Sequence, residues 1–379
     1  MKHIYFDYAA TSPTDPDVVK VMEPYFYEKY GNASSPHALG REAQNALEQA
    51  REVLAGFIGA KPEEIVFTSG ATEANNQAIF GVARANANKG RHLVISAVEH
   101  HSVHEPADFL ETQGFKVTYV PADENGVIHP QVVADAITNE TILIAIMHAS
   151  NEIGTIQPVV KIAEIAKGKN IPFLVDAVQT VGHIPVNVKE LGADLLSLSA
   201  HKFYGPKGIG ALYIRKGTKL GSYLLGGDQE RGRRASTQNI PGAVGLAKAV
   251  ALCQENMIEE MKTQQTYRDR LLAEIPQKIS GVKINGHLHQ RLPNNAHFSF
   301  QGVEGESLLM NLDMNGICAS MGSACTSGAM EASRVLKAIG LEDDLAYGAL
   351  RITLGRWSTE EHIERLLEVL PSAVEGLRL

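Results

Sequence analysis

Short apolar runs recur along the first two-thirds of this chain, and stretches with helical spacing separate them: Glu64–Thr68, His92–Ser96, Lys116–Val120, Thr141–Ile146, Pro172–Asp176, Asp194–Ser199 and Gly210–Ile214. Runs with little polar alternation suit strands covered on both faces, and helical connections between them give a largely parallel sheet. The fold class that follows is α/β. Ligands bind such sheets at the carboxyl ends of the strands. Several runs end in polar chemistry there: Glu99-His100-His101, His148-Ala149-Ser150-Asn151-Glu152, Asp176-Ala177-Val178-Gln179 and Ser199-Ala200-His201-Lys202.

Lys202 closes one of these runs just before a Gly/Pro turn. Most lysines are solvated surface groups, and a lone one at a strand end would be read that way. A lysine that is partly desolvated there loses its proton near neutral pH and can attack a carbonyl to form a Schiff base. Its company along the chain favours the second reading. Asp176 ends an apolar run, where a carboxylate is costly without a partner. Ser69-Gly70-Ala71-Thr72-Glu73-Ala74-Asn75 opens a helix whose first N–H groups can hold an anion, although a plain N-cap by Ser69 or Thr72 explains the same residues. Neither a Walker loop nor GxGxxG is present. Arg351 interrupts the apolar Leu350–Leu354, so its guanidinium wants a carboxylate from the protein or from a substrate.

The chain has 379 residues, room for two domains, and a net charge of −8 that does not point to a nucleic acid as its main partner. Three cysteines are too few for a disulfide framework and lack zinc-site spacing. Cys253 and Cys318 lie on helix and strand patterns and read as packing groups. Cys325 instead sits in the small, polar Ser320–Gly328, where a thiolate is free to act as a nucleophile. His100 and His104 stand four apart, but HExxH is not matched and a metal is set aside. No run spans a bilayer and the start lacks a signal-peptide core, so a cytoplasmic enzyme without a membrane is expected. Further on, a helix over Ala243–Ile275 leads into strand Asn295–Phe300, helix Gly305–Met314 and strand Ile317–Ala319. The loop Gly226–Asn239, rich in glycine and arginine, reads by composition alone as a solvated surface loop.

A reactive lysine, a buried acid, a ring-sized histidine, an anion cradle and an arginine together ask for pyridoxal phosphate and an amino-acid substrate. The chain also resembles the cysteine desulfurases of the NifS/IscS type, within the class V aminotransferases. The stretches that carry the likeness are Asp7-Tyr8-Ala9-Ala10-Thr11, Gly31-Asn32, Thr68 to Asn75, Glu99-His100, Asn151-Glu152-Ile153-Gly154, Asp176 to Gln179, Ser199 to Lys202, Gly322-Ser323-Ala324-Cys325 and Leu350-Arg351. They follow in order along almost the whole chain.

The resemblance implies fold type I of the pyridoxal phosphate enzymes. Its large domain, 14–255, carries a mostly parallel seven-stranded sheet, and a smaller α+β domain, 1–13 with 256–379, carries the cysteine loop. It also implies roles. Lys202 would hold the cofactor covalently and shuttle protons between substrate Cα and cofactor C4′; Asp176 would pair with the pyridine nitrogen; His100 would stack on the ring and act in acid–base steps. Gln179 would bind the phenolic oxygen. Ala71, Thr72, Ser199 and His201 would bind phosphate, with Thr237 from the other subunit of a homodimer. Asn151 would touch cofactor and substrate, and Arg351 the substrate carboxylate, with Asn32 near. Cys325 would take sulfur from L-cysteine as a persulfide, leaving alanine, and pass it to an iron–sulfur scaffold or another sulfur acceptor. With a scaffold it would serve as a transient iron–sulfur ligand, the protein having no metal of its own.

Two departures stand out: Arg234-Ala235-Ser236-Thr237 replaces the family's usual Arg-Ser-Gly-Thr, and Met321 replaces a common serine. Two other readings have discriminators. A class V relative with a different amino-acid reaction, such as a selenocysteine lyase or an aminotransferase, would not need Cys325. A non-enzymatic sulfur-cluster scaffold partner would not need Lys202.

Overall fold

The structure, a computed structural model, describes residues 3–322 and 332–378. Among them the strands are β1 (Ile4–Tyr5), β2 (Ile65–Thr68), β3 (His92–Ser96), β4 (Lys116–Val120), β5 (Thr141–Met147), β6 (Phe173–Asp176), β7 (Leu195–Ser199), β8 (Gly210–Ile214), β9 (Val282–Ile284), β10 (Asn295–Phe300), β11 (Ile317–Cys318) and β12 (Ala349–Thr353). Seven form one sheet in the order β2-β8-β7-β6-β5-β3-β4. All pairs are parallel except those of β8, which runs against both β2 and β7.

Alternate residues of these strands feed two cores, which is why the runs lack polar alternation. Leu93, Ile95, Leu143, Ala145, Leu174 and Leu195 pack with Ala74, Ala78 and Val82 of the helix Ala71–Asn86. Val94, Ile144, Ile146, Phe173, Val175 and Leu196 pack on the other face with Ala43, Leu47 and Leu54 of the helix Ala38–Phe57. β4 lies at the sheet edge and is only partly buried, which accounts for its being the least apolar run.

A third core gathers Leu271 and Ile275 near the end of the long helix Ile240–Lys278, Phe298 and Phe300 of β10, Leu350 and Ile352 of β12, and the inner face of the helix Glu360–Glu375. Here β12-β10-β9 form an antiparallel sheet, and β1 pairs in parallel with β11. Ala332, Val335, Leu336 and Ile339 turn back to join the core under the large sheet. Cys253 is buried as its helical position requires, whereas Cys318 is only half-buried, because the two-stranded pair that carries it is open on one side.

Strand order explains how distant motifs meet. β7, β6, β5 and β3 are successive neighbours, so the polar segments following them emerge side by side at one end of the sheet. β2 delivers Ser69 and Gly70 to the same end. Close approach there depends on Gly210, which pairs with Thr68 and Ser199; a Cβ on it would lie 2.8 Å from Gly70 Cα.

Candidate active site

At that end lies a cavity of about 850 Å³ whose walls include Ala71, Thr72, His100, Asn151, Asp176, Gln179, Ser199, His201, Lys202 and Arg351. Asn32 and Thr237 do not line it. Asn32 instead accepts from the Ser34 N–H at 2.9 Å in its own loop. Cys325 lies outside the described residues.

β7 continues into a turn, Ala200–Lys202, that points the lysine at the cavity. The N-terminal segment clasps this turn. Lys202 Nζ donates to the carbonyls of Ala9 at 2.6 Å and Ala10 at 2.7 Å. Ser12 Oγ donates to the His201 carbonyl at 2.8 Å and accepts from the Tyr204 N–H at 2.7 Å. Burial, and then the Arg351 charge, pull Lys202 down to about 8, with Asp7 and Asp176 opposing them. Such an amine has a sizeable nucleophilic fraction at neutral pH.

Asp176 has the partners its buried position demands. Its Oδ1 accepts from the Val178 N–H at 3.0 Å and its Oδ2 from Asn75 Nδ2 at 2.8 Å. Beside it, burial pushes Glu99 up to about 8, an effect that the Asp176 charge reinforces and hydrogen bonds from Ser96 Oγ and the Met147 N–H oppose. His100 caps the helix His101–Thr112 from outside, so it does not share a helical face with His104, whose ring stacks on Tyr119 at 4.9 Å. Desolvation lowers the His100 pKa; Lys202 and His101 add to that, and Asp176 opposes it.

The helix Ala71–Asn86 starts at Gly70 with no side-chain cap, which leaves its first N–H groups directed at the cavity end beside Thr72, Ser199 and His201. Glu73 does not fill that place. It accepts from the Ser69 N–H at 2.8 Å and holds Arg234 through two bonds, at 2.7 and 3.1 Å. Burial, and then the charges of Lys202 and Lys207, bring His201 down to about 4.

Arg351 is already engaged. Its Nη2 donates to Asp7 Oδ1 at 2.7 Å and its Nη1 to the Asn151 carbonyl at 2.9 Å, while its buried Nε has no partner among the described residues. The carboxylate it requires is thus supplied by the protein, from 344 residues away. Gln179 Nε2 donates to the Ala9 carbonyl at 3.0 Å. Sequence reasoning assigned no role to Asp7, Glu99, Asn75 or Ser102. The first three lie within recognised motifs, but their partners are brought near only by the fold, and Ser102 gave no signal at all.

The aminotransferase class-V family model matches residues 4–366. Among curated proteins, the cysteine desulfurase IscS of Dictyoglomus turgidum is 52% identical over 377 residues, covering 100% of this chain and 96% of that protein. The cysteine desulfurase IscS of Methanosarcina thermophila is 50% identical, covering 100% of this chain and 93% of that protein. Among solved structures, a NifS-like protein superposes with a TM-score of 0.93 at 39% identity, covering 99% of this chain and 100% of its own. SspA in complex with cysteine superposes at 0.81 with 36% identity, over 94% of this chain and 100% of that one. With the likeness extending over its whole length, the chain belongs to the class V aminotransferase family and, within it, to the cysteine desulfurases.

Proposed function

We propose that this protein binds pyridoxal phosphate in the cavity and converts L-cysteine to L-alanine, with Cys325 receiving the sulfur as a persulfide and passing it to an acceptor for iron–sulfur cluster assembly or for tRNA or cofactor thiolation. The observation that carries the reading is one cavity holding the Lys202 amine, brought down to about 8, together with the Asp176 carboxylate and an uncapped helix start. These groups fit an aldehyde, a pyridine nitrogen and a phosphate respectively. When bound, the cofactor supplies an electron sink for the bond changes at substrate Cα.

The chain's own groups do the rest. Lys202 would hold the cofactor and move a proton at Cα; Asp176 would pair with the pyridine nitrogen; His100, Gln179 and Asn151 would contact the ring. Ala71, Thr72, Ser199 and His201 hold the phosphate. Arg351, beside Asn151, would exchange its Asp7 partner for the substrate carboxylate; Asn32, which does not line the cavity, has no part in that contact here. L-Cysteine as substrate is supported by the relative solved with that ligand.

A homodimer in the cytoplasm completes the reading. Thr237 would reach the phosphate of the partner's site, and an aromatic group suits such an approach: Phe80 stacks on Tyr223 at 5.6 Å and Phe109, 55% exposed, packs edge-on at 5.8 Å, all in a groove next to Thr72 and His101. No helix among the described residues is long and apolar enough to cross a membrane. The third core and β1 with β11 support a division into 14–255 and 1–13 with 256–379.

The test is an absorption spectrum followed by L-cysteine under a thiol reductant. A yellow band absent from Lys202→Ala, with alanine and sulfide formed together and both lost in Cys325→Ala, is expected. Labelling of Lys202 in cofactor-free protein by an amine reagent should rise with pH to a midpoint near 8, not near the ordinary ~10.4. Protein that cannot be loaded with pyridoxal phosphate overturns the reading.

A further inference from the structure

Asn75 is fully buried on the helix Ala71–Asn86, and its Nδ2 lies 2.8 Å from Asp176 Oδ2 and 2.9 Å from Ser102 Oγ. Chemistry fixes which way this amide stands. A carboxylate has acceptors only, so the atom facing Oδ2 has to be the NH2 group. Its two hydrogens are then committed, one to Asp176 and one to Ser102. Ser102 Oγ therefore accepts from Asn75, and its own hydrogen has to go elsewhere. His100 Nδ1, 2.9 Å away, takes it, and the Ser102 backbone N–H reaches the same nitrogen at 3.1 Å. Two hydrogens aimed at Nδ1 leave no place for a proton on it, so the neutral ring carries its proton on Nε2.

We infer that Asn75 and Ser102 are positioning residues that convert the Asp176 carboxylate into a fixed tautomer of His100. The ring then presents an Nε2–H donor to the cavity and cannot accept a proton there. Desolvation keeps it neutral, and Lys202 and His101 add to that effect against Asp176. The consequence for His100 rests on the proposed use of the cavity, in which a neutral donor over the cofactor steadies developing negative charge and leaves proton removal to Lys202. The tautomer itself follows from hydrogen-bond direction alone.

The experiment is nitrogen-15 spectroscopy of the holoenzyme labelled at histidine, with His100 assigned through His100→Gln. Its Nδ1 is expected in the unprotonated, pyridine-like range in the native protein and in Ser102→Thr. In Ser102→Ala the tautomer ratio should move about 5-fold toward Nδ1–H, as loss of one hydrogen bond allows. A protonated Nδ1 in the native spectrum, or a ratio that Ser102→Ala leaves unchanged, overturns the inference. This readout needs no turnover, so it fails separately from the desulfurase reading, which stands or falls on alanine and sulfide.

Discussion

Two turns beside the cavity place side chains in the left-handed backbone region that favours glycine, and they hold them there differently. In the lysine turn the residue is Tyr204, φ 66°; in the arginine-rich loop they are Glu230, φ 49°, Arg231, φ 59°, and Ser236, φ 92°, of which Ser236 makes the sharpest contrast. Tyr204 is 1% exposed, its hydroxyl accepts from the Arg356 N–H at 2.7 Å, and its ring packs edge-on against Tyr8 and Trp357. Ser236 is exposed, and among the described residues its N–H reaches only Gln229 Oε1, at 3.2 Å. The same loop is firm further back, where buried Glu230 holds Arg51 through two bonds, at 2.7 and 2.9 Å. A strained backbone persists where packing over-determines it. The lysine turn meets that condition within one chain. At Ser236 this chain departs from the family's glycine and shows no such support of its own.

That contrast can be broken most forcefully at Tyr204. Tyr204→Gly relieves the backbone but deletes a buried aromatic ring, and it should lower stability by about 3 kcal/mol in chemical denaturation; a gain would show that strain, not packing, dominates the lysine turn. Ser12→Ala leaves the buried Tyr204 N–H without its acceptor, while the His201 carbonyl keeps the Ser12 backbone N–H at 2.8 Å, with an expected loss of about 1–3 kcal/mol in the same measurement. An unchanged midpoint would mean that the N-terminal clasp is dispensable. At Ser236 the sign reverses. A left-handed side chain costs about 1–2 kcal/mol and glycine's extra chain entropy returns about 0.5–1, so Ser236→Gly should stabilise by roughly 0.5–1 kcal/mol. A loss instead would reveal a contact to the Ser236 side chain, from the second subunit in particular.

Much of this was legible in the residues. Strand runs such as His92–Ser96 and Gly210–Ile214 were recovered to the residue, because burial on both faces imposes an apolar code that needs no knowledge of neighbours. The antiparallel setting of β8 was not, since its run looks like that of any buried strand. Lys202, Asp176, His100 and the segment at Ala71 announced themselves by sitting where polar residues interrupt apolar runs. Arg351 announced its need for a carboxylate but not its partner. Asp7 is as ordinary an acid in the sequence as Asp17, which lies on the surface.

By itself, then, the sequence determined the α/β class, the chemistry at each strand end and the family, because local patterning and residue type carry that information directly. Only the tertiary structure decided that the N-terminal segment clasps the lysine turn, that Asp7 occupies Arg351, and that Asn75 and Ser102 orient His100. Hydrogen-bond direction and burial arise when residues far apart in the chain are brought within 3 Å or so of one another, and no local pattern encodes which ones will meet.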